Sequence, residues 1–359
     1  MAVVTTTRVP GRVPVRAGRI SGVWRPRPML VVLGGLVVLL FTTAVSVGYG
    51  TYPLGMGEVL RVLTGSGEPG AQFVVFDLRL PRALTAALVG AALAIAGALT
   101  QAVSRNPLAS PDILGITAGA GAAAVAVIVL GGSHGTISGP LADVGVPAAA
   151  VTGGLLTATA IYLLAWRRGI DGYRFVLIGI GVHAMLTGVI SWLLVVGDVI
   201  DTGRALVWIN GSLNGRGWEH AAPMGLALLV LLPAALLLTF ALGALQLSDD
   251  TARALGLRVN GARSALLFLA VGLASVATAS AGPIAFVALV TPQIAMRLAR
   301  TARPPLIASA VLGATLVVLA DLIARTAFGT TELPVGIVTA VLGAPYLLFL
   351  IARKNRGAA

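Results

Sequence analysis

Cysteine is absent from all 359 residues, lysine occurs once, and only 11% of the chain is charged. Without cysteine there are no disulfides, thiolate metal sites or thiol nucleophiles. The single lysine, Lys354, is followed by Asn355. A phosphate-cradling P-loop needs Gly-Lys-Ser/Thr, so this chain carries no Walker site for ATP. An average soluble domain is about 25% charged. The low charge here, with 57% hydrophobic residues and a mean hydropathy of +0.95, excludes an ordinary soluble enzyme, a disordered chain and a water-soluble nucleic-acid binder. His134, His183 and His220 fall in three separate segments. No second ligand stands at metal spacing, no nucleophile–base set is visible, and no chain of buried acids offers a proton relay. An intramembrane enzyme and an ion-coupled secondary transporter are therefore the weaker classes.

What is present is apolar length. A membrane helix needs roughly 20 apolar residues. Stretches free of Asp, Glu, Lys and Arg run over 28–57, 83–104, 113–142, 144–166, 175–197, 220–248, 264–296, 304–320 and 333–352. The run 264–296 would be about 50 Å long as one helix, and Gly282-Pro283 near its middle is turn chemistry. Splitting it there gives ten spans and an all-α polytopic membrane protein. Positive charge tests the split, because cytoplasmic loops collect Arg and Lys. With both termini cytoplasmic and ten spans, 19 positives lie inside and 6 outside; without the split the division is 14 to 11. The net charge of +12 is then an orientation signal, and no nucleic-acid partner follows from it. Residues 1–28 read as a basic cytoplasmic tail, 29–353 as one membrane domain, and 354–359 as a second cytoplasmic tail. A cleaved signal peptide is disfavoured, since the first run is long enough to span and no clear small-residue cleavage site follows.

Four polar features stand out of the apolar background. Arg79-Leu80-Pro81-Arg82 lies just outside the second span, against the positive-inside bias. Pro81 suits a first helical turn. The arginines read either as interface anchors or as a docking site for an acidic soluble partner. Arg105 to Asp112 is a compact inside turn, with Asn106, Pro107 and Pro111 supplying helix stops. Residues 247–257 carry their own helix signals: Ser248 as cap, Asp249 and Asp250 in the first turn, Gly256 as stop. This segment reads as a short surface helix or as a lever pushed by a cytosolic partner. Asp321 and Arg325 share a helix face near an outer end, as a local ion pair or part of a docking site. His183 inside the fifth span reads as a packed residue. Trp192, Trp208, Trp218 and Tyr346 are expected as interface anchors.

These segments, in this order, resemble the FecCD-type permeases of ABC importers for iron–siderophore complexes, haem or cobalamin. Arg79-Leu80-Pro81-Arg82 leads into Leu88 to Gly97 and Gln101. Asn106-Pro107-Leu108-Ala109 with Pro111 and Leu114-Gly115 follow. Trp208, Gly211, Ser212 and Leu213 are similar to the family's W-x-x-G-S-L. Gly282-Pro283-Ile284-Ala285-Phe286-Val287 precedes Pro292. Asp321, Arg325 and Leu333 to Thr339 lead to Leu342-Gly343-Ala344-Pro345. Where many members have Pro-His-Ile-x-Arg, this chain has Pro292-Gln293-Ile294-Ala295-Met296-Arg297, so no family role is carried to Gln293 or Arg297.

The resemblance implies a type II ABC importer permease fold in the cell membrane, with no resident cofactor and no catalysis of its own. It implies a second permease subunit, with a paralogue slightly favoured over a second copy, a cytosolic ATPase dimer, and an extracytoplasmic binding (lipo)protein. Arg79, Arg82 and Arg325 match the family's docking arginines. The loop at about 245–262 matches its coupling segment, with Asp249, Asp250, Arg253, Ala254, Leu255 and Gly256 as contacts to the ATPase. Ferric siderophore is the expected cargo.

Overall fold

A computed structural model describes residues 13–17, 20–24, 26–50, 52, 54–133, 136–137, 140–166, 172–327, 329 and 331–356. His134 and several of the positives counted on the cytoplasmic side (Arg8, Arg12, Arg19, Arg25, Arg167 and Arg168) lie outside these.

The described chain is almost entirely helical, with two short antiparallel hairpins, one pairing Val13–Ala17 with Ile20–Trp24 and one pairing Gly132–Ser133 with Thr136–Ile137. The helices are α1 Pro26–Gly48, α2 Met56–Leu63, α3 Pro69–Ser104, α4 Ile116–Leu130, α5 Gly145–Ala165, α6 Gly172–Val196 and α7 Val199–Ile209. They continue as α8 Trp218–Leu237, α9 Thr239–Leu245, α10 Asp249–Ala254, α11 Val259–Ala281, α12 Val287–Ala299, α13 Leu306–Thr326 and α14 Val335–Arg356. Seven of these are long and apolar enough to cross a membrane: α1, α3, α5, α6, α8, α11 and α13. Ile116–Leu130, Val287–Ala299 and Val335–Phe349 are shorter apolar helices.

The break expected at Gly282-Pro283 is real. α11 stops at Ala281, Gly282 takes φ +74°, and α12 begins after Phe286. α12 is only 13 residues, about 20 Å at the usual rise.

α3 is the axis of the bundle. In its most apolar window 83% of residues are buried, against 11% for α6. It packs against α13, α11, α12 and α8. The small residues of its motif make this possible. A Cβ on Gly90 would overlap the Gly313 carbonyl, and one on Gly313 would overlap the Gly90 carbonyl, so the two backbones touch. Gly97 meets Ala288 of α12 in the same way. In lipid, where there is no hydrophobic drive between helices, such contact is what holds them together.

One expectation is met with an addition and one is corrected. Pro81 sits in the first turn of the regular α-helix Leu80–Ser104, as expected, but that helix continues back through a π-helical stretch, Val74–Arg79, to Pro69. Pro81 lacks an N–H and crowds the preceding turn, and the wider π turn absorbs that inside a continuing helix. Trp208 is not an interface anchor. It is 8% exposed and packs in a cluster with Ala120, Leu193 and Ala279. Trp192 is exposed, and Trp218 is exposed with its indole N–H donating to the Phe76 carbonyl.

Candidate functional site

The regular α-helical part of α3, Leu80–Ser104, begins at a knot of charge. Arg82 sends Nη2 to Asp321 Oδ1 at 2.9 Å and Nε to both carboxylate oxygens at 3.2 Å. Its Nη1 donates to Glu332 at 3.0 Å. Arg325 approaches Asp321 from the other side, Nε to Oδ2 at 3.3 Å, and donates from Nη2 to the Ser46 hydroxyl at 2.7 Å and to the Ser46 carbonyl at 3.0 Å. Asp321 is 1% exposed. The knot therefore ties α1, α3 and α13 around one buried carboxylate that two guanidinium groups satisfy. Pairing matters here because desolvation of each charge costs several kcal/mol; Arg325 Nε, although 3.3 Å from Oδ2, is buried without a hydrogen bond.

Arg79 belongs to the same end but serves a different purpose. It is 8% exposed, and its Nη1 donates to the carbonyls of Val47 at 2.9 Å and Gly48 at 3.0 Å, while Nη2 donates to Tyr52 O at 2.5 Å. These are the orphan carbonyls at the C-terminus of α1 and just beyond it, where a cation also meets the negative end of the helix dipole. Gly50 leaves the space: a Cβ there would sit 2.5 Å from Nη2. The three arginines expected at the outer surface thus come together, turned largely inward. The local Asp321–Arg325 pair is present as well.

The other end of α3 carries a second knot. Arg105 closes the helix in a left-handed conformation, φ +51°. Its Nε donates to Leu245 O at 2.7 Å and its Nη2 to Asp249 Oδ1 at 2.6 Å. Arg263 of α11 donates to the same carboxylate at 3.1 Å. Partial burial pushes the Asp249 carboxyl up, but Arg263, Arg105 and Arg253 outweigh it and hold it below its ordinary value. Asp249 opens α10, the short helix expected from its cap signals. Ser248 Oγ accepts from the Thr251 amide at 3.0 Å, and Gly256 leaves the helix at φ +82°. Asp250 and Arg253 pair with each other on the exposed face, at 2.9 Å. Leu255 is exposed and Ala252 is fully buried. Asn106 makes the expected turn, its Oδ1 accepting from the Leu108 amide.

Between the knots sits a buried amide pair. Pro292 removes an N–H from α12 and leaves the Ala288 carbonyl without its helical partner. Gln101 covers this place: its Nε2 donates to Leu289 O at 2.9 Å and lies 3.5 Å from Ala288 O. Gln293 donates from Nε2 to Gln101 Oε1 at 2.7 Å. Arg297 donates to the Tyr346 hydroxyl and lies 5.5 Å over its ring.

The 208–213 motif forms a third junction. Gly336 N donates to Gly211 O, and Ser212 N donates to Ala281 O. The Trp208, Gly282 and Gly336 segments of the sequence therefore meet in one place. Arg216, four residues beyond Ser212, donates to its carbonyl and to His220 Nε2, and burial lowers the Arg216 pKa. His220 Nδ1 faces Glu219 at 3.0 Å, so the neutral Nδ1–H tautomer satisfies both neighbours. His183 is exposed on α6. Among the described residues no three His, Cys, Asp or Glu side chains gather as a metal site.

Reading the sequence missed Ser46, Glu332 and Arg263, which complete the two knots. No local signal marks them, because each acts through a partner on another segment.

A model of the FecCD transport family matches residues 37–353. The ferric enterobactin transport system permease of Escherichia coli (strain K12) is 41% identical over 307 residues, covering 86% of this chain and 91% of that protein. The achromobactin transport system permease of Dickeya dadantii (strain 3937) is 42% identical over 321 residues, covering 89% and 90%. A solved chain, described as a metal-chelate type ABC transporter in an inward-facing conformation, superposes with a TM-score of 0.78 at 28% identity over 90% of this chain and 99% of that one.

Proposed function

The chain belongs to the FecCD transport family, and from that premise we propose that it is the permease subunit of a binding-protein-dependent importer of ferric siderophores. The observation that carries the reading is the family match over 37–353 in a chain whose single lysine leaves it without a Walker site. Energy then comes from ATP hydrolysed on a separate cytosolic subunit pair. The siderophore assignment rests on the ferric enterobactin and achromobactin relatives; haem and cobalamin are the alternatives within the family.

In this proposal one membrane domain, 29–353, crosses ten times between cytoplasmic tails 1–28 and 354–359. The seven long apolar helices and the three shorter ones supply that number. A second permease subunit, a paralogue of this chain, completes the path. The loaded binding protein docks at Arg79, Arg82 and Arg325, and the ATPase pushes on Asp249 to Gly256 within the 245–262 loop. Arg82 is the docking group best placed to exchange partners, because Glu332 on its Nη1 side is 39% exposed at the side chain. A role for Arg79 and Arg325 requires them to give up carbonyl bonds they already make. α3 joins the two regions as one continuous helix from Arg82 to Arg105, about 35 Å long. Movement of the ATPase pair thus reaches the outer face through a stiff element.

The test is uptake in cells with and without this chain, supplied with ferric catecholate, ferric hydroxamate, ferric citrate, haem or cobalamin. Loss confined to ferric siderophores is expected. Loss confined to cobalamin or haem overturns the cargo. Uptake into inverted or reconstituted vesicles that proceeds on an ion gradient without ATP overturns the importer mechanism.

A further inference from the structure

We propose that the protein carries a site for an anionic glycerophospholipid, with an acyl chain in an apolar groove beside α1 and the phosphate on Arg303.

The groove, about 510 Å³, is enclosed by α1, the α8–α9 junction and the segment entering α13. Met29, Val32, Leu236, Leu242, Pro304 and Ile307 are among its walls, and no carboxylate lines it. Arg303 stands at its edge and also lines a neighbouring cavity of about 330 Å³ with Phe240, Leu247 and Leu255. The guanidinium lies against Gly243, where a Cβ would overlap Nη1, so α9 is notched to receive it.

Arg303 is exposed, and among the described residues its guanidinium makes no hydrogen bond or ion pair. The nearby hydroxyls are spent: Thr239 donates to Leu236 O and Thr301 to Arg303 O. Arg27 and Arg300 are exposed and are the chain neighbours of the lining residues Pro28 and Thr301. The acids on the adjacent α10 are engaged with Arg105, Arg253 and Arg263.

A guanidinium has five donors and no acceptor, and it fits phosphate oxygens. An apolar slot that opens beside an unpaired arginine, with no carboxylate among its lining residues, is complementary to a molecule with an acyl chain below and a net negative phosphate above. Basic pockets between membrane helices take anionic headgroups on this principle. The inference uses only membrane residence and this local geometry, so it stands apart from the choice of cargo and from the transport mechanism.

The test is photolabelling of the full-length protein in nanodiscs with a phosphatidylglycerol bearing a photoactivatable acyl chain, in parallel with a phosphatidylcholine of the same chain. Phosphatidylglycerol label is expected on peptides covering 28–32 and 301–308. Arg303→Ala is expected to lower it about fivefold, the value of one arginine near the surface, with the phosphatidylcholine label unchanged. Val32→Trp, on the lightly packed α1, fills the groove and is expected to lower labelling by both probes there while labelling elsewhere persists. Equal labelling by the two probes, indifference to Arg303→Ala, or full labelling of Val32→Trp overturns the site. Competition by excess inorganic phosphate would assign the arginine to a free anion and overturn the lipid.

Discussion

Arg105 and Asp249 are 144 residues apart in sequence, and their side chains meet at 2.6 Å. Arg105 is the cap of α3 and Asp249 the first residue of α10, and Arg263 binds the same carboxylate from α11. A displacement of α10 therefore pulls on two of the most buried helices of the bundle through one side chain. Asp250 and Arg253 face outward and pair with each other.

This asymmetry predicts which acid couples. Asp249→Asn removes the charge that Arg105 and Arg263 share, while Ser248 still caps α10. In proteoliposomes with the ATPase partner, ATP hydrolysed per cargo molecule is expected to rise several-fold. Asp250→Asn breaks only an exposed i,i+3 pair, worth about 0.5 kcal/mol or less, and is expected to leave the ratio unchanged. Equal effects from the two would remove Asp249 from its special place.

The knot around Asp321 predicts a stability effect and a binding effect that separate. Asp321→Ala leaves Arg82 and Arg325 facing each other without their anion, and is expected to cost about 3–5 kcal/mol. Arg82→Met combined with Asp321→Leu replaces charge by packing and is expected to recover most of that in thermal unfolding. Glu332→Ala should leave stability nearly unchanged, since Glu332 is partly exposed. It frees Nη1 of Arg82 and is expected to tighten binding-protein association. Unchanged or weaker association would take Arg82 out of the docking face.

The difference between these two knots shows what the chain alone makes readable. The cap at Ser248, the stop at Gly256, the turn at Asn106 and the break at Gly282 rest on chemistry within a few residues, and each is where the sequence places it. The Arg82–Asp321 pair spans 239 residues, and no local pattern encodes it. The arginines read as surface groups because charge avoids hydrocarbon. They turn inward because Asp321 and the end carbonyls of α1 offer partners that only the folded bundle supplies. Trp208 misleads for the same reason: its amphipathic ring suits an interface, but the α11 break opens a place for it inside.

Gln101 gives a sharper test than Gln293. Gln101→Leu strips the Ala288 carbonyl, which Pro292 leaves without a helical donor, of its side-chain contact and takes the acceptor away from Gln293 Nε2, and unsatisfied buried groups of this kind cost about 1–3 kcal/mol. Gln293→Leu leaves both carbonyl contacts of Gln101 in place and is expected to cost less. Gln293→His keeps a side-chain N–H that can still donate to Gln101 Oε1, so it is expected to be nearly neutral. Thermal unfolding of the three purified variants ranks them, and a greater loss for Gln293→Leu than for Gln101→Leu would reverse the assignment.

Asp112 sets a pH dependence. It lies in the turn between α3 and α4, with carboxyl Oδ1 sealed from solvent and without a partner among the described residues. Burial pushes its pKa from 3.8 up to about 7, against a smaller opposing pull from a Thr117 hydrogen bond. An acid whose folded pKa lies above its unfolded one holds its proton longer in the native state. Below the unfolded value both states are protonated and the carboxyl leaves stability intact. As pH rises from there towards the folded value, the unfolded chain ionises first and stability falls, by at most about 1.4 kcal/mol per pH unit. Above the folded value the fall ends. Asp112→Asn carries no titrating group, so its unfolding curve should lose this slope and gain on the wild type most at mildly alkaline pH. Parallel slopes for the two proteins between about pH 5 and pH 7 would show that Asp112 ionises as an ordinary surface carboxylate.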